Sequence, residues 1–284
     1  MSRLIIRFAP AVAAVLLLAG SACAHDGWIQ SNVPRVILGD MCYIDMPFGN
    51  HGNTHRDYKV WGSKWDVANA TFSLYTPEGQ LVDIEDAVID VGYDEMKSAG
   101  GVAYKDVNGY LVASFQPRRK GIYIVDVRQD KVVSYAPERS IKCAKAVVGA
   151  VPGSLNGFAS SLRGYDRVMS QVVEIVPLND PTNLAVGDTL RALVLFKGQP
   201  LADAHVSVIP RGTELPAMGV ENPYDLMTDM DGMISFTFDE ANYHLIVVHV
   251  ETDEGGTLNG TPYQFTKYTG DLTVIVKPTR AGSS

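Results

Sequence analysis

Tyr243-His244-Leu245-Ile246-Val247-Val248-His249-Val250 is a run dominated by aliphatic and β-branched residues. That composition favours a strand. Successive side chains of a strand point to opposite faces. Tyr243, Leu245, Val247 and His249 therefore share one face, and His244, Ile246, Val248 and Val250 share the other. Both faces are largely apolar, which makes this a central strand.

Similar short runs recur on both sides of it. Residues 70–75, 109–115, 121–127, 171–176, 189–196, 205–209, 234–238 and 272–276 are rich in Val, Ile, Leu, Phe and Tyr and are bounded by Gly, Pro, Asn and Asp. Regular short strands with turn signals between them predict an all-β protein built of sandwiches rather than a parallel sheet. The pattern breaks between Gly149 and Arg167, where Val151-Pro-Gly-Ser-Leu-Asn-Gly157 is rich in turn formers. The expected organisation is a β-sandwich domain over 25–148, a linker over 149–169, and a second, immunoglobulin- or transthyretin-like sandwich over 170–278. Residues 87–103, with Gly100-Gly101, read as a long loop within the first domain.

The first 24 residues read as an export signal. Arg3 and Arg7 supply the charged start, an apolar run follows from Ala11 to Ala19, and Ala22-Cys23-Ala24 has the small-x-small form of a cleavage site. Cleavage after Ala24 makes His25 the first residue, with a free α-amine. The amine and the Nδ1 of one N-terminal histidine can grip a metal ion together, which no internal histidine can do. A lipoprotein reading would cut before Cys23 instead, but Gly20 stands where leucine is preferred.

The 284-residue chain carries a formal net charge of −8, and losing Arg3 and Arg7 makes it more acidic. That disfavours nucleic acid or an anionic membrane surface as partner and mildly favours cations. No second apolar stretch of about 18 residues is present, so nothing beyond the signal is expected to span a membrane. Past the signal, two cysteines remain, Cys42 and Cys143. In an oxidising compartment an even pair most simply forms one disulfide. Two buried thiols or a thiolate metal site are the alternatives.

Several motifs carry a resemblance. They are Glu174-Ile-Val-Pro-Leu-Asn-Asp-Pro181, Leu184-Ala-Val-Gly-Asp-Thr-Leu190 and Phe196-Lys-Gly-Gln-Pro-Leu-Ala-Asp-Ala204. The start His25-Asp26-Gly27-Trp28, the turn Thr228-Asp-Met-Asp-Gly232 and the strand ending in His249 add to them. Together they resemble a bacterial family of exported two-domain proteins of unknown function, whose members are regarded as periplasmic accessory components of nickel or cobalt uptake (NikK-like). Gly27 departs from the pattern, since the family usually has an aromatic residue after His-Asp.

Six histidines are present: His25, His51, His55, His205, His244 and His249. Imidazole suits nickel, cobalt, copper and zinc, and an amine–imidazole chelate tightens that preference. His51 and His55 lie in Phe48-Gly-Asn-His-Gly-Asn-Thr-His-Arg56, whose Gly and Asn residues favour a loop able to wrap one ion. A solvated loop with idle histidines is the competing reading. His249 is raised from a core histidine to a candidate ligand by the resemblance. His244 lies on the opposite face and cannot share its ion without a bulge. His205 reads as structural or exposed. The candidate metal ligands are thus His25, His51, His55 and His249, with Asp26 as an added carboxylate.

Asp229-Met-Asp-Gly232 lacks the ligand pattern of a calcium loop and reads as a turn. No nucleophile elbow, phosphate-binding glycine loop or His-Glu-x-x-His helix is present. The leading expectation is a non-enzymatic periplasmic protein that binds Ni²⁺ or Co²⁺, with Cu²⁺ a competitor, and assists a membrane metal transporter. One rival is a copper oxygenase using an N-terminal histidine brace, with Trp61 and Trp65 as part of an aromatic substrate surface. The other is an envelope adhesion or scaffolding module.

Overall fold

The computed structural model describes residues 26–52, 55–60, 64–92, 94–99, 102–107, 110–154, 158, 160–213, 215–216 and 220–279, with backbone only for 26, 50–52, 55–60, 94–99 and 102–107. The protein is all-β, 55% strand and 5% helical. The strands of the first half are β1 (Asp26–Gly27), β2 (Cys42–Gly52), β3 (His55–Val60), β4 (Ala70–Tyr75), β5 (Leu81–Asp83), β6 (Tyr110–Phe115), β7 (Gly121–Val132) and β8 (Glu138–Val151). Those of the second half are β9 (Val173–Pro177), β10 (Thr189–Phe196), β11 (His205–Pro210), β12 (Asp225–Met227), β13 (Met233–Thr237), β14 (Tyr243–Thr252) and β15 (Phe265–Lys277). Shorter strands are named by their residues.

One large sheet runs through both halves in the order β12-β11-β14-β15-β8-β7-β4-β5. Its centre is the parallel pairing of β8 with β15, from Glu138 opposite Phe265 to Ala146 opposite Thr273. The last strand of the first half thus lies beside the last strand of the second. The connection expected over 149–169 leaves β8 at Val151 and re-enters a sheet at Val173. Between them, Arg35 ties the halves together. Its Nη2 donates to Asp180 Oδ2 at 2.7 Å, its Nε to Thr182 Oγ1 at 3.1 Å and its Nη1 to the Ser160 carbonyl at 2.8 Å.

Smaller sheets cover the two faces. The front sheet joins β1, β2, β6 and Ile89–Asp90, with β3 and Gln30–Ser31 also paired to β2. In the back sheet β9 pairs one edge of β10, and Gln199–Pro200 and β13 both pair its other edge. Alternation along β7 feeds both layers. Ile122 and Ile124 enter the back core with Ile175, Val194 and Leu272, while Tyr123, Val125 and Val127 enter the front core with Ile44, Met46 and Leu111. The back core therefore draws on both halves of the chain.

A charged network is sealed at the junction. Lys145 Nζ lies 2.9 Å from Glu174 Oε1, with both side chains buried. Glu174 also accepts from the Met169 amide at 2.7 Å and the Gln171 amide at 3.3 Å. Gln171 Nε2 donates to Asp126 Oδ1 at 2.7 Å, and Arg128 Nη2 to Asp126 Oδ2 at 2.6 Å. Burial pulls the Lys145 ammonium down from its ordinary range while Glu174 pushes back. A buried charge needs this kind of compensation.

Two expectations are corrected. Cys42 and Cys143 do not form a disulfide; both are free and buried. Cys42 packs in the front core and Cys143 in the back core, so the central sheet separates them. Burial raises the Cys42 thiol to about 12 and the Cys143 thiol to about 11, which keeps both protonated and poor as metal ligands. The expected loop over 87–103 instead contains the strand Ile89–Asp90 and a hairpin in which Asp94–Ala99 pairs with Val102–Val107. Gly100 and Gly101 lie outside the described residues. The Asp229–Gly232 turn forms as read: Asp229 Oδ1 accepts the Asp231 amide at 2.9 Å and the Met233 amide at 2.8 Å.

Candidate functional site

The two faces of β14 separate as its alternation predicts. Ile246 and Val248 enter the back core, and the His244 ring lies 4.7 Å from that of Phe238. Leu245 and Val247 face forward and pack with Ile209, Leu215 and Trp28. His249 follows Val247 on this forward face.

Register turns the forward face into a polar patch. His249 pairs with Thr269, and Val247 with Asp271. Across β15, Thr269 pairs with Lys142, and Asp271 with Ala144. On the other side Val247 pairs with Ser207, which pairs with Asp225. Thr269, Lys142, Ser207 and Asp271 are all buried, Asp271 completely at 0%. This contrasts with the same face further along β8, where Ala144, Ala146, Val148 and Ala150 are apolar. At the solvent edge His205 Nε2 stands 3.6 Å from Asp225 Oδ2, and Met227, paired with His205, is exposed. His205 is thus partly exposed, at the border of the patch.

The N-terminal strand and the histidine hairpin lie over this face. Trp28 is fully buried against Leu245 and Val247, and its amide donates to the Pro47 carbonyl at 3.1 Å. Asp26 pairs with Gly49, and Gly27 with Phe48. The Phe48 ring lies 5.6 Å from Lys142 Nζ. β2 continues to His51 and Gly52, which pair with Arg56 and His55 of β3 after a bulge between Asn50 and His51. β3 in turn passes close to β11. His51 and His55 are therefore in a strand hairpin, not the loop that their Gly and Asn neighbours suggested. Gly49 and Gly52 pair within the strands, and the bulge follows Asn50.

The structure thus brings the backbone of three expected ligand segments to one side of the central sheet: the start of β1, the β2–β3 hairpin, and His249. The side chains of His51 and His55, and all of His25, lie outside the described residues. Among the described residues, no group of three His, Cys, Asp or Glu side chains forms a ready metal site. Trp61 also lies outside them. Trp65 is a core residue, 1% exposed and edge-on to Phe48 at 5.9 Å, so it offers no aromatic substrate surface.

Gly27 has a physical reason. A Cβ there would stand 2.5 Å from Trp65 Cε2 and 2.8 Å from Phe48 Cδ2. The space that an aromatic residue would need after Asp26 is taken by Trp65.

Sequence reading missed Asp271, Thr269 and Lys142. The available signal was a charge inside an otherwise apolar stretch, Gly270-Asp-Leu-Thr-Val-Ile-Val276. Gly-Asp reads as a turn, yet β15 runs straight through it. Gly270 is required because a Cβ there would lie 2.6 Å from Val173 Cγ1 on the back face.

The model of the family described as "Domain of unknown function (DUF4198)" matches residues 22–252. The chain belongs to this family. The match spans His25, the hairpin and His249, and it stops before Asp271. No curated protein is significantly similar to this DUF4198 chain. Among solved structures, the D0-D1 domain of Intimin aligns over 89% of this chain and 100% of its own, at 10% identity and TM-score 0.22. A DUF4785 family protein of Legionella pneumophila aligns over 78% of this chain and 50% of its own, at 9% identity and TM-score 0.24. The Escherichia coli adhesin FdeC aligns over 88% and 63%, at 13% identity and TM-score 0.22. Among the described residues no helix is long and apolar enough to cross a membrane.

Proposed function

We propose that this DUF4198 protein is a periplasmic carrier of a divalent transition metal, nickel or cobalt, that hands its cargo to a membrane uptake transporter. The observation that supports the reading best is the position of β1 and the β2–β3 hairpin over the face of the central sheet that presents His249. His25 immediately precedes β1, and its amine and imidazole would form the anchor of the site. His51, His55 and His249 would supply further nitrogen donors. Nitrogen and oxygen donors suit nickel and cobalt, and leave copper as a competitor that only geometry can reject. Buried, protonated Cys42 and Cys143 contribute no thiolate.

The protein acts as a carrier and not as an enzyme in this reading. Metal uptake must displace protons from the α-amine and the imidazoles, so affinity falls as pH drops. The test is calorimetric titration of the mature protein, beginning at His25, with nickel, cobalt, copper and zinc. A control protein carries one extra residue before His25. Tight nickel or cobalt binding that the extra residue weakens at least tenfold is the expected result. Equal binding by both forms would remove His25 from the site, and no binding by either would overturn the reading.

A further inference from the structure

We propose that His205, Met227 and His249 form a binding site for a soft monovalent metal ion, Cu(I), on the forward face of the central sheet. The site needs neither His25 nor the histidine hairpin. It goes beyond the carrier reading, with which it shares only His249.

The register carries the argument. Met227 of β12 is directly opposite His205 of β11. Val206 of β11 is directly opposite Val248 of β14, and the same antiparallel register carried one residue further sets His205 beside His249. Met227, His205 and His249 thus form one row across three adjacent strands. Their chain neighbours fix the face: Leu226, Val206, Val248 and Val250 pack in or against the back core, so the row points forward. Directly opposite residues of an antiparallel pair have Cβ atoms about 4.5–5.5 Å apart. Metal–imidazole bonds are about 2 Å long, so two neighbouring rings and a flexible thioether can close on one ion.

The surroundings prepare the row. His205 Nε2 stands 3.6 Å from Asp225 Oδ2, and Ser207 Oγ donates to Asp225 Oδ1 at 3.4 Å. A carboxylate on one ring nitrogen orients an imidazole and raises the basicity of the other, so His205 offers Nδ1 to a metal. Asp225 also places negative charge beside the cation. His205 is partly exposed and Met227 is 58% exposed, so an ion can reach the row from solvent. Edge strands are ordinarily blunted by charged side chains, yet the edge strand β12 holds a thioether in water opposite His205. Thioether sulfur is a soft donor that selects Cu(I), whereas nickel and cobalt in the carrier reading take nitrogen and oxygen.

The experiment loads the mature protein anaerobically with Cu(I), kept reduced by ascorbate, and measures affinity by competition with the chromophoric chelator bicinchoninate. Met227→Leu and His205→Gln are compared with wild type and with Met230→Leu, which removes an exposed thioether outside the row. The expected result is one Cu(I) per chain, with at least a tenfold loss of affinity in Met227→Leu and His205→Gln and none in Met230→Leu. The copper K-edge spectrum of the wild type should contain a sulfur shell that Met227→Leu removes, and Met227→Leu should bind nickel as the wild type does. Absence of Cu(I) binding, absence of the sulfur shell in the wild type, or an equal loss in Met230→Leu would overturn the proposal. Nickel affinity that falls in Met227→Leu as far as Cu(I) affinity does would overturn the claim of a soft site distinct from the carrier site. The wild-type sulfur shell decides the question even if a variant fails to fold.

Discussion

His244 and His249 show how one strand sends two histidines to opposite faces of a sheet. His244 is fully buried behind the sheet against Phe238, and burial lowers its pKa below the ordinary 6.5. It stays neutral in the fold and takes up a proton more readily when unfolded. Stability should therefore rise with pH between the folded value and 6.5, and be lost as pH falls below about 6.5. Urea unfolding of wild type and His244→Phe from pH 5 to 7.5 checks this. The wild type should lose more stability in acid than the variant; parallel curves would refute it. His249 faces the polar patch, and His249→Ala is expected to weaken nickel or cobalt binding at least tenfold in calorimetry, with little change in the melting temperature of the metal-free protein. The parity that separates these two residues was legible in the alternation of 243–250. Asp271 was not, because Gly270-Asp271 carries the composition of a turn. The approach of Val173 explains the glycine.

The elements were legible where side-chain alternation reports them, and less so where partners lie far apart in sequence. The strand character of 70–75, 121–127 and 189–196 follows from their aliphatic, β-branched and aromatic residues and the turn formers that bound them. The hairpins at 94–107 and around His51–His55 were hidden by the Gly and Asn residues in and beside them, whose composition reads as loop. The junction built on Lys145 and Glu174 depends on a contact between β8 and β9 that no local pattern announces. Lys145→Ala would leave Glu174 charged and buried, and should cost about 3–5 kcal/mol in denaturant unfolding. A cost under about 1 kcal/mol would show that water reaches the carboxylate. Gly27→Ala should displace Trp65 or Phe48 and loosen β1. The expected outcome is a lower melting temperature together with weaker metal binding, since the proposed ligand His25 directly precedes β1 in sequence.

At the scale of the molecule, the all-β class was evident from composition and turn spacing, whereas the parallel pairing of β8 with β15 was not. That pairing joins strands more than a hundred residues apart, and the back core mixes residues from both halves. The two halves should accordingly unfold together. Scanning calorimetry of the metal-free protein is expected to give one transition with equal calorimetric and van't Hoff enthalpies. Two separable transitions would mean that the shared sheet does not couple them. The same architecture is what the proposed site draws on: the front sheet carries β1 and the backbone of the histidine hairpin, and the central sheet carries His249. The most direct test of that convergence is nickel K-edge X-ray absorption on the mature, nickel-loaded protein. The account predicts a first shell of nitrogen and oxygen only, with outer-shell scattering from at least two imidazoles. A sulfur ligand, or a single imidazole, would contradict it.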